Sequence, residues 1–160
     1  MGKISSLAGG VAGATALTLI HEFAKKKVPD APRMDKMGME ATAKFANQAG
    51  LKAPSGKNLY FAALAGDLIS NSLYFSKVGA KDKQNVWVNG ALLGLAAGLS
   101  AVYLPGKMGL NEDNSNHSTK TKLMTVGLYV IGGLVAAGAT ALFQKKSKTQ
   151  KIKEKLQKAV

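Results

Sequence analysis

The sequence predicts an all-α integral membrane protein: a four-helix bundle with an interfacial amphipathic helix and a basic C-terminal tail. Its apolar residues are gathered into four blocks between lysine-rich connections, although the mean hydropathy of the whole chain is only +0.01. The third block, residues 84–106, runs 23 residues without a charge. At about 1.5 Å per residue, a helix of that length crosses a hydrocarbon core of about 30 Å. Gly90, Gly94 and Gly98 recur every four residues in this block, so they share one helix face that a second backbone can approach closely.

The composition excludes several kinds of site and favours a lipid partner. The chain has 160 residues and no cysteine, which excludes disulfides, thiolate metal sites and cysteine nucleophiles. Its net charge is +13. The lysines cluster at the ends of the apolar blocks, and base-stacking aromatic residues are not interleaved with them. We therefore expect the positive charge to meet the anionic headgroups of a lipid bilayer rather than nucleic acid.

The first predicted span covers residues 4–20. Gly9 and Gly13 form a GxxxG pair in it, which predicts close packing against another helix. A cleavable signal peptide is the alternative, since Ala14 and Ala16 form an A-x-A pattern after a basic start. Glycines and serines interrupt the apolar stretch before that pattern. We therefore interpret the block as an uncleaved helix.

An interfacial helix is predicted after the first span. Pro29 and Pro32 separate the two helices, because proline cannot continue a helix. Beyond them, apolar residues recur at helical spacing while charged residues occupy the other faces. This pattern predicts a short amphipathic helix, either in the headgroup region or across the end of the bundle. Its apolar face consists of Met34, Met37, Ala41 and Phe45.

The second and third predicted spans, residues 58–76 and 85–105, are joined by a short basic connection. We expect them to form an antiparallel helical hairpin. The second span is the most polar of the four, and it has aromatic residues at both ends, which are typical of anchors at a membrane interface. Pro105 and Gly106 are expected to end the third span.

The fourth predicted span, residues 123–143, carries Gly132 and Gly133 in its middle. The transmembrane domain is therefore expected over residues 1–144, with a basic juxtamembrane tail over residues 145–160. The tail contains seven lysines and has apolar residues four apart, which predicts an amphipathic helix resting on the membrane.

The distribution of positive residues does not decide the orientation of the chain in the membrane. Four spans place both termini on one side, and lysine and arginine number 11 on each side, so the positive-inside rule gives a tie. The dense basic tail favours cytoplasmic termini, in a bacterial inner membrane. The three lysines directly after the first span favour the opposite orientation.

Asp67 is the only charged residue inside an apolar block. It lies near the middle of its span, where an ionised carboxylate is costly. Ser70 and Asn71 follow three and four residues later, on the same helix face. One hypothesis is a proton or cation site, in which Asp67 binds the ion and the other two side chains supply dipoles. The other is a structural hydrogen bond from Asp67 to a second helix, which the lack of another acid or base within a span favours.

His21 and Glu22, at the end of the first block, form a possible polar site at the membrane edge. Neighbouring residues on a helix point about 100° apart, so these two do not form a pair. They could reach Asp67 or a lipid headgroup, and the alternative is the polar end of a short helix. His117 lies far along the chain in a polar loop, and two histidines so separated are a weak indication of a metal site. We expect no metal and no other cofactor.

The predicted function is non-enzymatic: a small structural or accessory membrane protein that packs through its small-residue faces with itself or with a larger membrane complex. One alternative is a small oligomeric transporter or channel that uses Asp67. Another is a membrane enzyme acting on lipid, with His21 and Glu22 at headgroup level. The chain has none of the common phosphate-binding, metalloprotease or hydrolase motifs, so we predict no catalytic residue. The expected helix-packing positions are Gly9, Gly13, Gly90, Gly94, Gly98, Gly132 and Gly133.

Overall fold

The computed structural model describes residues 2–79 and 85–157, and every regular element within them is helical. The all-α prediction is confirmed for this part of the chain. In chain order the elements are α1 Gly2–Lys27, α2 Met34–Gln48, α3 Gly56–Phe75 with a 3₁₀ turn Ser76–Gly79 after it, α4 Val86–Lys107, the short α5 Asp113–Asn116, and α6 Thr119–Gln157.

Three helices are long and apolar enough to cross a membrane, over Ile4–Lys27, Val86–Lys107 and Thr119–Lys145. They indicate an integral membrane protein. The second predicted span, residues 58–76, does form a helix, α3, but α3 is too polar to qualify with the other three. The described residues therefore contain three helices of spanning character, where the sequence predicted four.

Helix α6 lies at the centre of the fold. It packs against α1 on one side and α4 on the other, and both neighbours run antiparallel to it. Helix α3 packs against α1 and α2, but α3 and α4 scarcely touch each other. The helices of the predicted hairpin, α3 and α4, run antiparallel but do not pack closely against each other. The glycine face of α4 is turned toward α6, and α4 packs there instead.

The seven glycines expected at packing positions lie where helices meet within this chain. A Cβ atom added to Gly94 would lie 2.6 Å from both the carbonyl oxygen of Tyr129 and the Cα atom of Val130. One added to Gly13 would lie 2.6 Å from the carbonyl oxygen of Gly132. Because these neighbours are backbone atoms of α6, a side chain at either glycine would push two helices apart.

The outward faces of the helices are apolar. Large exposed side chains include Leu19 and Phe23 on α1, Leu92 and Leu99 on α4, and Ile131 on α6. Small residues are meanwhile buried between the helices. This distribution suits helices whose outer surfaces contact lipid.

Helix α4 does not end at Pro105, as the sequence predicted, but continues to Lys107. Proline has no N–H group to donate to the carbonyl oxygen of Ala101, four residues earlier. The hydroxyl of Ser115 donates to that oxygen instead, at 2.7 Å. A side chain from α5 thus replaces the missing helix hydrogen bond, and the last turn of α4 can form.

Helices α1 and α6 also extend beyond the predicted spans. Helix α1 includes the three lysines Lys25, Lys26 and Lys27, and α6 continues without a break into the predicted tail. Neither extension contains proline or glycine, so nothing in the sequence stops the helix. The end of the predicted tail, residues 158–160, lies outside the described residues.

Hydrogen bonds tie α2 to one end of the bundle. The backbone N–H of Arg33 donates to the carbonyl oxygen of Asn114 at 2.7 Å, and the carboxylate of Glu40 accepts from the N–H of Asn111 at 3.0 Å. These bonds fix α2 beside the connection that follows α4. We call this region the loop end: residues 28–33, helix α2 and residues 108–118.

Candidate functional site

A cleft of about 500 Å³ lies between α3 and α4, where the two helices fail to meet. Helix α6 contributes Tyr129 to it, and α2 covers its loop end with Met34 and Met37. The hydroxyl of Tyr74 donates to the carbonyl oxygen of Leu93 at 3.0 Å and so joins α3 to α4 beside the cleft. The remaining lining residues are Gly38, Ala41, Asp67, Ser70, Asn71, Ala97, Ser100, Ala101, Leu104, Pro105, Met108 and Leu110.

Among the described residues that line the cleft, Asp67 is the only charged one. Its carboxylate oxygen Oδ1 accepts a hydrogen bond from Asn71 Nδ2 at 2.9 Å. Ser70 also lines the cleft, but its hydroxyl donates to the backbone oxygen of Asp67, at 3.1 Å, and not to the carboxylate. The three residues that the sequence placed on one face thus share the cleft, and only Asn71 contacts the carboxylate.

The carboxylate of Asp67 has no cationic partner among the side chains that the structure describes. Its hydrogen-bond donor is on its own helix, so the predicted hydrogen bond to a second helix is not seen either. An apolar cleft therefore carries one uncompensated acidic group.

A second, much smaller and partly open cavity of about 30 Å³ lies between α1, α2 and α3. Asp67 lines both spaces, and so do Met34 and Gly38. The polar side chains of the small cavity come from all three helices: Thr18, His21 and Glu22 from α1, Asp35 from α2, and Tyr60 and Asp67 from α3. We call this space the inner cavity.

His21 points into the bundle, and its side chain is only 8% exposed. Its ring meets the ring of Tyr129 edge-on, with 5.7 Å between the centroids. Neither Nε2 of His21 nor the hydroxyl of Thr18 has a hydrogen-bond partner in the described part of the chain. His21 therefore shares a cavity wall with Asp67, but no hydrogen bond joins the two side chains in the described part of the chain.

A chain of ion pairs closes the inner cavity toward the loop end. Lys25 pairs with Glu22 on α1 and with Asp35 on α2, the latter at 3.3 Å. The Arg33 guanidinium donates two hydrogen bonds of 3.0 Å to the same Asp35 carboxylate. Local sequence does not indicate this cluster, because Lys25 lies across the chain reversal at the two prolines from Arg33 and Asp35. The negative charges of Glu22 and Asp35 are thus matched by the positive charges of Lys25 and Arg33. Asp67 takes no part in these pairs.

Asp35 should make the protein acid-sensitive. Burial alone would raise the pKa of its carboxyl group, but the hydrogen bond from Arg33 and the charges of Lys25 and Arg33 outweigh burial and lower that pKa to about 2. The ordinary value is 3.8. Because the folded pKa is the lower one, the ion pairs stabilise the fold fully above about pH 4 and lose their effect as the pH falls through about 2.

We expect the thermal unfolding midpoint, followed by circular dichroism in detergent, to fall between pH 4 and pH 2 more steeply for the wild type than for Asp35→Asn. Asp113→Asn, an exposed change on α5, should keep the wild-type slope. Equal slopes for wild type and Asp35→Asn would contradict the assignment.

His117 is exposed at the loop end, 3.6 Å from a carboxylate oxygen of Asp30. The structure thus leaves the two histidines in separate places, with only His21 at the inner cavity. No protein-family model matches the chain, and no curated protein or solved structure is significantly similar to it. The clues to function are therefore the cleft and the inner cavity.

Proposed function

We propose that this chain is a small, non-enzymatic integral membrane protein that binds a cation in the cleft, with Asp67 as the counter-ion. The preferred ligand carries its charge on an apolar body. The observation that supports this function is the solitary carboxylate of Asp67 in the wall of an otherwise uncharged cleft of about 500 Å³.

The charge of Asp67 requires a partner. A carboxylate away from bulk water is costly unless it is protonated or paired with a cation. Asn71 supplies one hydrogen bond but no charge. A bound cation would neutralise Asp67, and the cleft has room for one larger than a metal ion.

The walls of the cleft suit an apolar body. Met34, Met37 and Met108 line it, and methionine side chains adapt to ligands of different shape. The volume falls within the range of roughly 300–1,000 Å³ usual for small-molecule sites. Since the cleft lies between two helices that scarcely touch, an amphiphile can reach it from the side.

The structural or accessory role is the second candidate. The small-residue faces pack within the chain, so a partner would have to use another surface. The cleft spans two turns of α3, from Asp67 to Tyr74, and could receive a helix of a larger complex or of a second copy. The lipid-enzyme alternative has less support, because the ring of His21 is buried against Tyr129 rather than presented to a headgroup.

The proposal also includes a membrane setting. The lysine-rich helix ends would contact anionic headgroups of a bacterial inner membrane, with both termini in the cytoplasm. Helix α3 would then complete a four-helix bundle as a shorter, more polar fourth member, with α2 at the interface.

The test compares two ions of the same shape and opposite charge. The purified chain in nanodiscs is dialysed against tetraphenylphosphonium or tetraphenylborate, and binding to empty nanodiscs is subtracted. We expect saturable binding of the phosphonium cation at one site per chain and no saturable binding of the borate anion. Equal binding of both ions, or of neither, would overturn the cation-binding function. In that case a defined oligomer by mass in nanodiscs would favour the accessory role.

A further inference from the structure

We propose that the inner cavity is a hydrated proton-transfer site, in which bound water connects Asp67 to His21. This inference rests on the proposed function, because it supplies the route by which the cleft exchanges a proton when a cation binds. It assigns His21 a role as the internal proton acceptor.

Two polar groups in the wall of the inner cavity lack hydrogen-bond partners among the described residues. Nε2 of His21 and the hydroxyl of Thr18 are buried without a hydrogen-bond partner in the described residues, and both residues line the inner cavity. Such groups are rare unless water satisfies them. At about 30 Å³, the cavity has room for one or two water molecules.

The inner cavity lies between the cleft and the ion pairs near the loop end. Asp67 lies in its wall and also in the wall of the cleft. On the far side, Glu22 and Asp35 belong both to the cavity wall and to the ion pairs at the loop end. Water in the inner cavity would therefore join the cleft to the charged end of the bundle.

The proton transfer needs only Asp67, the bound water and His21. When a cation enters the cleft beside a protonated Asp67, the carboxyl O–H bond breaks and its proton passes to the bound water. The water passes one of its own protons to Nε2 of His21, where an N–H bond forms. The Asp67 carboxylate then pairs with the cation, while the imidazolium of His21 lies near the carboxylates of Glu22 and Asp35, which also pair with Lys25 and Arg33. Departure of the cation reverses both transfers.

Titratable groups face His21 from every helix packed around it. They are Glu22 and Lys25 on α1, Arg33 and Asp35 at the start of α2, Tyr60 and Asp67 on α3, and Tyr129 on α6. Among them Asp67 is the carboxylate without an ion-pair partner in the described residues. The proposal therefore assigns the proton exchange to Asp67 rather than to Glu22 or Asp35.

The test observes His21 directly and needs no added cation. The chain has two histidines, so His117→Gln leaves His21 as the only ring signal in a sample labelled with ¹⁵N-histidine in nanodiscs. We expect magnetisation transfer between the His21 ring and water, and a ring signal that changes with pH. Asp67→Asn should shift the midpoint of that change by about one pH unit or more, because it removes the group that exchanges a proton with His21.

Two variants control for the cavity itself. Ala63→Leu should fill the inner cavity and abolish the water signal at His21, whereas Ala65→Leu, on an exposed face of the same helix, should leave it. Should Ala63→Leu fail to fold, the stability of Thr18→Val relative to the wild type shows whether the cavity holds water. The variant should be less stable than the wild type if water satisfies the hydroxyl, and more stable if the cavity is dry.

The proposed proton transfer would be overturned if the His21 ring showed no magnetisation transfer with water. It would also be overturned if Asp67→Asn left the pH midpoint of the ring signal unchanged. Failure of phosphonium binding with a hydrated, Asp67-dependent His21 would overturn the proposed ligand and leave the link standing. The two proposals can therefore fail separately.

Discussion

Gly133→Ala is expected to lower the free energy of unfolding by about 3 kcal/mol, the upper end of the usual cost of overpacking. A Cβ atom at Gly133 would collide with the backbone carbonyl of Gly90, on the facing helix α4. Backbone atoms cannot rotate away as a side chain can. Helices α4 and α6 would therefore have to separate along their whole contact, which also includes Gly94 and Gly98.

Gly127→Ala is the matched control, because it makes the same change on the same helix. A Cβ atom at Gly127 would meet nothing within 4 Å, so this variant should be neutral or gain up to about 1 kcal/mol from the better helix propensity of alanine. Unfolding in mixed micelles of mild detergent and dodecyl sulfate, followed by circular dichroism, measures both. Similar stabilities for the two variants would contradict the close α4–α6 contact.

The mass of the protein in nanodiscs separates packing within the chain from packing between chains. Gly94→Leu should destabilise the fold without converting an oligomer into monomers, because the atoms that its side chain would meet belong to α6 of the same chain. Dissociation of a stable oligomer without loss of helix content would instead place this glycine face between protomers.

Asp67→Asn is expected to weaken phosphonium binding by roughly a hundredfold, since removing one partner of a desolvated charge pair costs at least about 3 kcal/mol. Asparagine keeps the size of the side chain and one oxygen that can accept from Asn71, so the loss reports mainly the charge. Equilibrium dialysis with nanodiscs measures the change in Kd.

Ser70→Ala provides the comparison for Asp67→Asn. Ser70 lines the same cleft one turn away, but its hydroxyl is bonded to the backbone and not to the carboxylate. We expect less than about a threefold change in Kd, as for the loss of a weak polar contact. Equal losses in both variants would mean that the shape of the cleft, and not the charge of Asp67, controls binding.

Much of the helical fold follows from sequence pattern, because a long apolar block has few alternatives to a helix in lipid. The ends of the helices were harder to predict. The stop expected at Pro105 was wrong because the replacement donor, Ser115, is ten residues away in sequence and becomes available only when α5 folds back. Local sequence contains no sign of that contact.

The site was predictable only in part, for a similar reason. Asp67 stands out as a carboxylate in an apolar block, whereas the cleft beside it exists because α4 packs on α6 and leaves α3. Helix geometry predicts that the side chains of His21 and Glu22 point in different directions. It does not predict which of the two points into the bundle. Asp67 lines both the cleft and the inner cavity, and Nε2 of His21 is buried without a partner in the described residues. Both features depend on how several helices pack together, which local sequence does not show.

The central position of α6 has a consequence for biosynthesis. Helices α1 and α4 precede it along the chain, so the ribosome completes both before their common packing partner exists. Until α6 inserts, the glycine grooves of α1 and α4 face lipid or other membrane helices, which makes the nascent chain a target for membrane quality control. We therefore expect the contacts of α1 and α4 with α6 to form only after α6 has inserted.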